Sequence, residues 1–203
     1  GGINTFSQDF FNKVKKLCKK HKILLAFDEV QSGIARTGKL FSYEWYGVSP
    51  DIMGLAKGLG GGFPVGAVLM TNEVARGMVA GTHGSTFGGN QLACSVALEV
   101  INEVSKKSFL SKVHAKGLYL KKKLEEIKKD FPGKILSIKG KGLLLGIEIR
   151  NQPNLFCDLA RKKKLLLVPA ANNVIRLLPP LNIKKDELKI ALAIIENCFR
   201  EIK

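Results

Sequence analysis

Lys57 stands apart from the other lysines of this chain. There are 27 Lys against 6 Arg, and nearly all the lysines fall in polar runs. Lys57 is instead delivered by the apolar stretch Ile52-Met53-Gly54-Leu55-Ala56, and glycines follow at 58, 60, 61 and 62. Removal from water lowers the pKa of an amine, and such an amine attacks a carbonyl to form a Schiff base. The glycines let the backbone take positive φ and approach a ligand closely. Taken alone, the segment reads equally as a glycine-rich turn with a lysine reaching out to solvent. Upstream, the apolar run Ile23-Leu24-Leu25-Ala26-Phe27 is followed by Asp28-Glu29-Val30-Gln31. Downstream, Gly84-Ser85-Thr86-Phe87-Gly88-Gly89-Asn90 places hydroxyls and free backbone N–H groups ahead of a helix, where an anion such as phosphate is well received. Arg176 lies inside Val174-Ile175-Arg176-Leu177-Leu178-Pro179-Pro180. A guanidinium in a hydrophobic strand costs too much unless it meets an anion, either a ligand carboxylate held by two parallel hydrogen bonds or an internal acid.

The elements that carry these residues follow from hydrophobic periodicity. Residues 7–21 read as an amphipathic helix with Phe10, Phe11, Val14 and Leu17 on one face and Ser7 as N-cap. The run 23–27 is too short for a helix and suits a strand buried on both faces of a parallel sheet. Asp28 then falls at the strand's C-terminal end, where α/β sheets place their ligands. Val48 to Leu55 leads into Lys57, and Val65 to Met70 reads as another buried strand. The helix after the Ser85-Thr86 turn spans 91–104, with Asn90 as N-cap. From about residue 109 the pattern changes: a Lys-rich helix over 110–130 broken by Pro132-Gly133, strands at 143–149, 165–168 and 174–178, and helices at 154–164 and 185–202. The aromatic cluster Phe41, Tyr43, Trp45 and Tyr46 reads as packing or a subunit contact.

Several other chemistries are weighed and set aside. Gly33-Ile34-Ala35-Arg36-Thr37-Gly38-Lys39 matches the first seven positions of a Walker A loop, but position 40 is Leu, so the hydroxyl that holds Mg²⁺ is missing, and Walker A would have to precede the Asp-Glu strand. A formal net charge of +16 raises a basic nucleic-acid-binding module as the alternative to an enzyme. The lysines are spread over separate helical segments without interleaved aromatics, and Arg is scarce, so the charge reads as solvated helix faces with no nucleic-acid partner. Cys18, Cys94, Cys157 and Cys198 lie far apart, which excludes a ligand-spaced zinc site and reads as reduced cysteines in a cytoplasmic protein. The three histidines lack metal-ligand spacing, so no metal is expected. No apolar run reaches the roughly 20 residues of a membrane span.

Three motifs in this order, Asp28-Glu29-Val30-Gln31, Lys57 with its glycines, and Gly84 to Asn90, resemble the class III, fold-type I pyridoxal 5'-phosphate (PLP) aminotransferases. Within that family the likeness is greatest to the C-terminal half of the acetylornithine aminotransferase branch. The resemblance implies an α/β architecture: the C-terminal part of a mainly parallel-sheet, PLP-binding large domain over 1–108, and a smaller α+β domain over 109–203. It assigns Lys57 the cofactor linkage and the proton transfer at the substrate's Cα. Asp28 is expected as a buried carboxylate that keeps the ring nitrogen protonated, Val30 as packing on the ring face, and Gln31 as a hydrogen-bond partner on the 3'-hydroxyl side. Ser85 and Thr86 are expected to reach the phosphate of a neighbouring subunit, which implies a homodimer with shared sites, and Arg176 to hold the substrate's α-carboxylate. The implied reaction moves an amino group between N-acetylornithine and 2-oxoglutarate in arginine biosynthesis. Succinyl-diaminopimelate, ornithine and 4-aminobutyrate are the alternative donors. Ala35 departs from a glycine frequent in the family, and Gln91 from a proline. Glu29 receives no role. The start Gly1-Gly2-Ile3, without Met, reads as a piece of a chain about twice this length. The family's phosphate-binding loop, ring-stacking aromatic and substrate-side glutamate would lie upstream of residue 1, so the 203 residues alone are expected to bind PLP poorly and to be inactive.

Overall fold

The computed structural model describes residues 2–202; Gly1 of the Gly1-Gly2 pair and Lys203 lie outside the described residues. Two compact units are formed, one by residues 6–110 and the other by residues 111–202 together with residues 2–5. Residues 2–5 thus pack with the C-terminal segment. A Cβ at Gly2 would meet the Ala171 carbonyl at 2.8 Å, and one at Gly146 would meet Ile3 at 3.1 Å.

In the first unit, α1 (Gln8–Lys20) opens where the Ser7 hydroxyl accepts from the Phe10 N–H at 3.1 Å. Asp9 in its first turn and Lys19 and Lys20 in its last complement the helix dipole. Phe11 on this helix packs on Phe27 and Tyr46, with ring centroids 5.6 and 4.2 Å away. The sheet has the order β1 (Ala26–Asp28), β2 (Ile52–Leu55), β3 (Ala67–Met70). β1 and β2 are parallel with Ala26 opposite Ile52, whereas β3 returns antiparallel with Met70 opposite Ile52. The sheet is therefore mixed. Asp51 fastens the start of β2, because its Oδ2 accepts from the Leu25 N–H at 2.7 Å and its Oδ1 from Lys15 Nζ at 2.8 Å. A short helix α2 (Asn72–Ala75) and the longer α3 (Gln91–Val104) complete the unit. Asn90 caps α3 by accepting from the Ala93 N–H at 2.9 Å.

The strands expected to be buried on both faces are not. Only Leu25 of the 23–27 run is buried; Ile23 and Leu24 are 61% and 53% exposed, and Val68 on β3 is 62% exposed. A three-stranded sheet with β1 and β3 as its two edges leaves these side chains uncovered within this chain.

The second unit is better closed. α4 (Lys107–Asp130), α5 (Pro153–Lys162) and α6 (Lys185–Glu201) accompany an antiparallel sheet ordered β4 (Ile135–Lys141), β5 (Leu144–Ile149), β7 (Val174–Leu177), β6 (Val168–Ala170). Leu120 and Leu124 of α4, Leu145 and Ile147 of β5, Phe156 of α5 and Phe199 of α6 are fully buried, the last two with ring centroids 4.4 Å apart. Two close contacts fix this packing. Gly117 in α4 faces the β4–β5 turn, where an added Cβ would lie 2.5 Å from the Gly142 carbonyl oxygen. Lys134 donates to the Phe199 and Ile202 carbonyls at 3.0 and 2.6 Å, satisfying the C-terminal end of α6. The strand expected at 165–168 begins instead at Val168. Lys164 turns left-handed (φ 66°) and the Leu165 N–H returns to the Ala160 carbonyl at 2.9 Å, so this apolar stretch starts as the cap of α5. β4, where Ser137, Lys139 and Lys141 interrupt the apolar pattern, was not foreseen. No helix among the described residues is long and apolar enough to cross a membrane.

Candidate active site

Because β1 and β2 are parallel neighbours with Asp28 opposite Gly54, both end at the same edge of the sheet. The chain leaves β1 at Asp28. It leaves β2 at Leu55, and Lys57 follows at the head of a single 3₁₀ turn, Lys57–Gly60. The carboxylate and the amine singled out by the sequence are thus carried to the ligand-facing edge by adjacent strands.

The turn that holds Lys57 is strained. Lys57 has φ +47°, and Gly61 and Gly62 follow at +57° and +123°. The left-handed region costs an L-residue about 1–2 kcal/mol and is retained where surrounding structure enforces it. The enforcing contact is visible: an added Cβ at Gly58 would lie 3.2 Å from Ile34 Cβ. Ile34 and Ala35, both buried, are themselves left-handed at φ +51° and +64°. The 33–35 loop is therefore a seat for the Lys57 turn, and the Gly-to-Ala departure at position 35 is accommodated at the expense of strain.

Two expectations about burial are overturned. Lys57 is exposed, not desolvated. Met53 and Leu55 are buried, but the turn that starts after Ala56 carries the lysine away from that core. Asp28 is also exposed, because β1 is an edge strand. Its Oδ1 accepts from the Val30 N–H at 2.9 Å, and no described residue donates to Oδ2. Val30 and Gln31 are half-buried in the turn that follows.

Ser85 lines a groove of about 540 Å³ together with Leu59, Pro64, Ala67, Ala93 and Leu98. Lys57, Asp28 and Thr86 are not part of its lining. Thr86 is exposed, and its neighbour Phe87 is 81% exposed. Arg176 belongs to the other unit. It is half-buried at the centre of β7, opposite Gly146 on β5 and Val168 on β6, between the buried Ile175 and Leu177.

Sequence reasoning passed over Glu29. This side chain is only 1% exposed, and its carboxylate accepts four hydrogen bonds. Ser32 Oγ and the Ser42 N–H donate to Oε2 at 2.8 and 3.1 Å, and Ser42 Oγ and the Tyr43 N–H donate to Oε1 at 2.7 and 2.9 Å. Its donors lie up to 14 residues away in the chain, at a spacing that no local motif announces. The Tyr46 phenol is pushed up from its ordinary pKa, first by burial and then by the negative charge of Glu29. Among the described residues there is no cluster of three metal-ligating side chains, and none of the four cysteines is in a disulfide.

The adjacent parallel strands β1 and β2 thus bring an exposed carboxylate and an exposed amine to one end of the sheet. Residues 1–199 match the family model for class III aminotransferases. An acetylornithine aminotransferase of Rhodobacter capsulatus is 46% identical over 192 residues, covering 95% of this chain and 49% of that protein. Among solved structures, the acetylornithine aminotransferase from Elizabethkingia anophelis superposes with a TM-score of 0.89 at 37% identity, covering 100% of this chain and 52% of the other. An ornithine aminotransferase from Toxoplasma gondii, with partial occupancy of PLP at its active site, gives a TM-score of 0.90 at 32% identity and covers 98% of this chain and 48% of its own. The chain spans about half the length of the curated relatives it matches. From a match that runs nearly end to end, it follows that the chain belongs to the class III aminotransferases, PLP-dependent enzymes of fold type I.

Proposed function

We propose that the intact protein is a PLP-dependent transaminase that moves an amino group reversibly between N-acetylornithine and 2-oxoglutarate, within arginine biosynthesis, as a cytoplasmic homodimer with shared sites. The observation that carries this reading is the class III match over residues 1–199, together with acetylornithine aminotransferases at 46% identity. PLP, when bound, supplies an aldehyde for condensation with amines and a ring that takes up the negative charge developed at the substrate's Cα. Residues 6–110 would contribute to the cofactor domain and the remaining unit would be the small domain.

Lys57 is the residue of this chain suited to hold the cofactor and to take and return the proton at Cα, as general base and then general acid. Asp28, with Oδ1 engaged by the Val30 N–H, keeps Oδ2 for a protonated ring nitrogen. Val30 would pack on the ring face, and Gln31 would bond its 3'-hydroxyl side. Ser85 and Thr86, in the turn before α3, would anchor the phosphate across the dimer. Arg176 would receive the α-carboxylate of the amino donor through two parallel hydrogen bonds. Abstraction of the Cα proton by Lys57 requires a neutral amine, a form that covering the site from water favours.

The test is borohydride reduction of the intact holoenzyme followed by mapping of the pyridoxyl label. A label on Lys57 is expected, and a label on any other lysine would overturn the assignment. Ornithine is the second reading for the amino donor, since an ornithine aminotransferase superposes as well as an acetylornithine aminotransferase does, at TM-scores of 0.90 and 0.89. A steady-state comparison of kcat/KM for N-acetylornithine, ornithine, succinyl-diaminopimelate and 4-aminobutyrate separates the donors, with N-acetylornithine expected to lead.

A further inference from the structure

We infer that Glu29 is a positioning residue for the cofactor site, holding the end of β1 and the 33–43 loop together so that Asp28 stands in register with the Lys57 turn. The inference rests on the reading of Asp28 and Lys57 given above.

The geometry is that of a hub. Asp28 is held on its C-terminal side by the next residue, whose N–H donates to the Gly54 carbonyl of β2 at 3.0 Å. The carboxylate of that same residue is buried and binds Ser32, Ser42 and Tyr43 through four neutral donors. A buried charge is tolerated when its acceptor sites are filled in this way, and each such bond is stronger than one between neutral groups. The loop so fastened leads through Gly33, whose N–H returns to the Glu29 carbonyl at 2.9 Å. An added Cβ at Gly33 would sit 2.8 Å from that oxygen, so the loop has no slack at this point. It then reaches Ile34, which lies under Gly58. One side chain therefore ties together the strand end that carries Asp28 and the seat on which the lysine turn rests. Asp28 has little else to hold it. The bond that its carboxylate accepts, from the Val30 N–H, is internal to the same turn, so the aim of the carboxylate depends on where that turn is fixed.

The experiment is a double-mutant cycle in the intact protein, reading the Kd of the apo form for PLP and the pH at which the bound cofactor's visible absorbance changes. Glu29→Gln keeps the shape but presents an amide N–H to donors. It is expected to weaken PLP binding about ten-fold and to move the absorbance transition in the same direction as Asp28→Asn does. In the Asp28→Asn background the same change should weaken binding by no more than about three-fold, since a group that acts through Asp28 loses its effect once Asp28 is gone. Ser42→Ala, which removes one of the four donors and leaves both backbone bonds, is the milder variant should Glu29→Gln fold poorly. It should weaken binding about three-fold with the same shift of the absorbance transition. A Glu29→Gln penalty that is equal in both backgrounds, or a loss of thermal midpoint without any change in PLP affinity, would overturn the proposal. If Asp28→Asn itself leaves PLP affinity unchanged, the reading of Asp28 falls first and the positioning role falls with it.

Discussion

At the scale of single residues, Asp51 does for the fold what Glu29 does for the site. Its carboxyl is held below the ordinary carboxylate range, first by the hydrogen bond from Lys15 and then by the Leu25 N–H. A group whose folded pKa is depressed stabilises the fold at pH values above its unfolded pKa, here about 3.8, and loses that contribution as pH falls through the folded value. Thermal midpoints of the wild type and of Asp51→Asn should therefore differ near neutral pH by about 1 kcal/mol of stability, modest because the pair is partly solvated. The gap should close as pH falls below about 4, and one that persists to pH 2 would refute the ion-pair origin. Asp51 was not marked by the sequence because its partners, Lys15 and Leu25, lie 36 and 26 residues upstream. Asp28 and Lys57 were marked because residue type and the end of an apolar run are local properties. Their exposure was not legible, because burial depends on what covers a residue and not on the residue itself.

Individual elements were legible where one local rule decided them. α3 begins at Gln91 because Asn90 caps it, and α1 begins after Ser7 for the same reason. The mixed pairing of β3 and the presence of β4 escaped because pairing direction and edge strands leave weak periodic signals. Gly117 shows most clearly how an element answers to its neighbour. Helix propensity alone says that Gly117→Ala in the middle of α4 should stabilise by about 1 kcal/mol. The Cβ it introduces would lie within 2.6 Å of the carbonyl carbon and Cα of Gly142 as well as close to its oxygen, and backbone cannot rotate out of the way. Overpacking of this kind costs about 1–3 kcal/mol, and with backbone as the obstacle the upper part of that range applies, so after the propensity gain a net destabilisation approaching about 2 kcal/mol is expected. Urea unfolding checks it, and a raised midpoint would mean that the β4–β5 turn is not seated on the helix as described.

Across the whole molecule, two physical features meet at the candidate site: a surplus of exposed amines and a reactive edge open to solvent. The net charge of +16 comes from lysines on helix faces, several of them in short-range pairs such as Lys13–Asp9 and Lys189–Asp186 that water and salt screen. Lys57 in this chain shares that solvent with them. What sets it apart is its left-handed backbone and its place after the strand paired with the one that ends in Asp28. The isolated 203-residue chain, incubated with PLP and reduced with borohydride, should therefore carry label spread over several exposed lysines, with Lys57 holding no dominant share and no transamination detectable. The intact protein should place the label on Lys57 alone, because covering an amine disfavours its charged form and a bound ligand holds the aldehyde against it. The contrast between the two samples isolates the contribution of enclosure from that of sequence. A stoichiometric label confined to Lys57 in the isolated chain would show instead that the β1–β2 edge selects its lysine unaided.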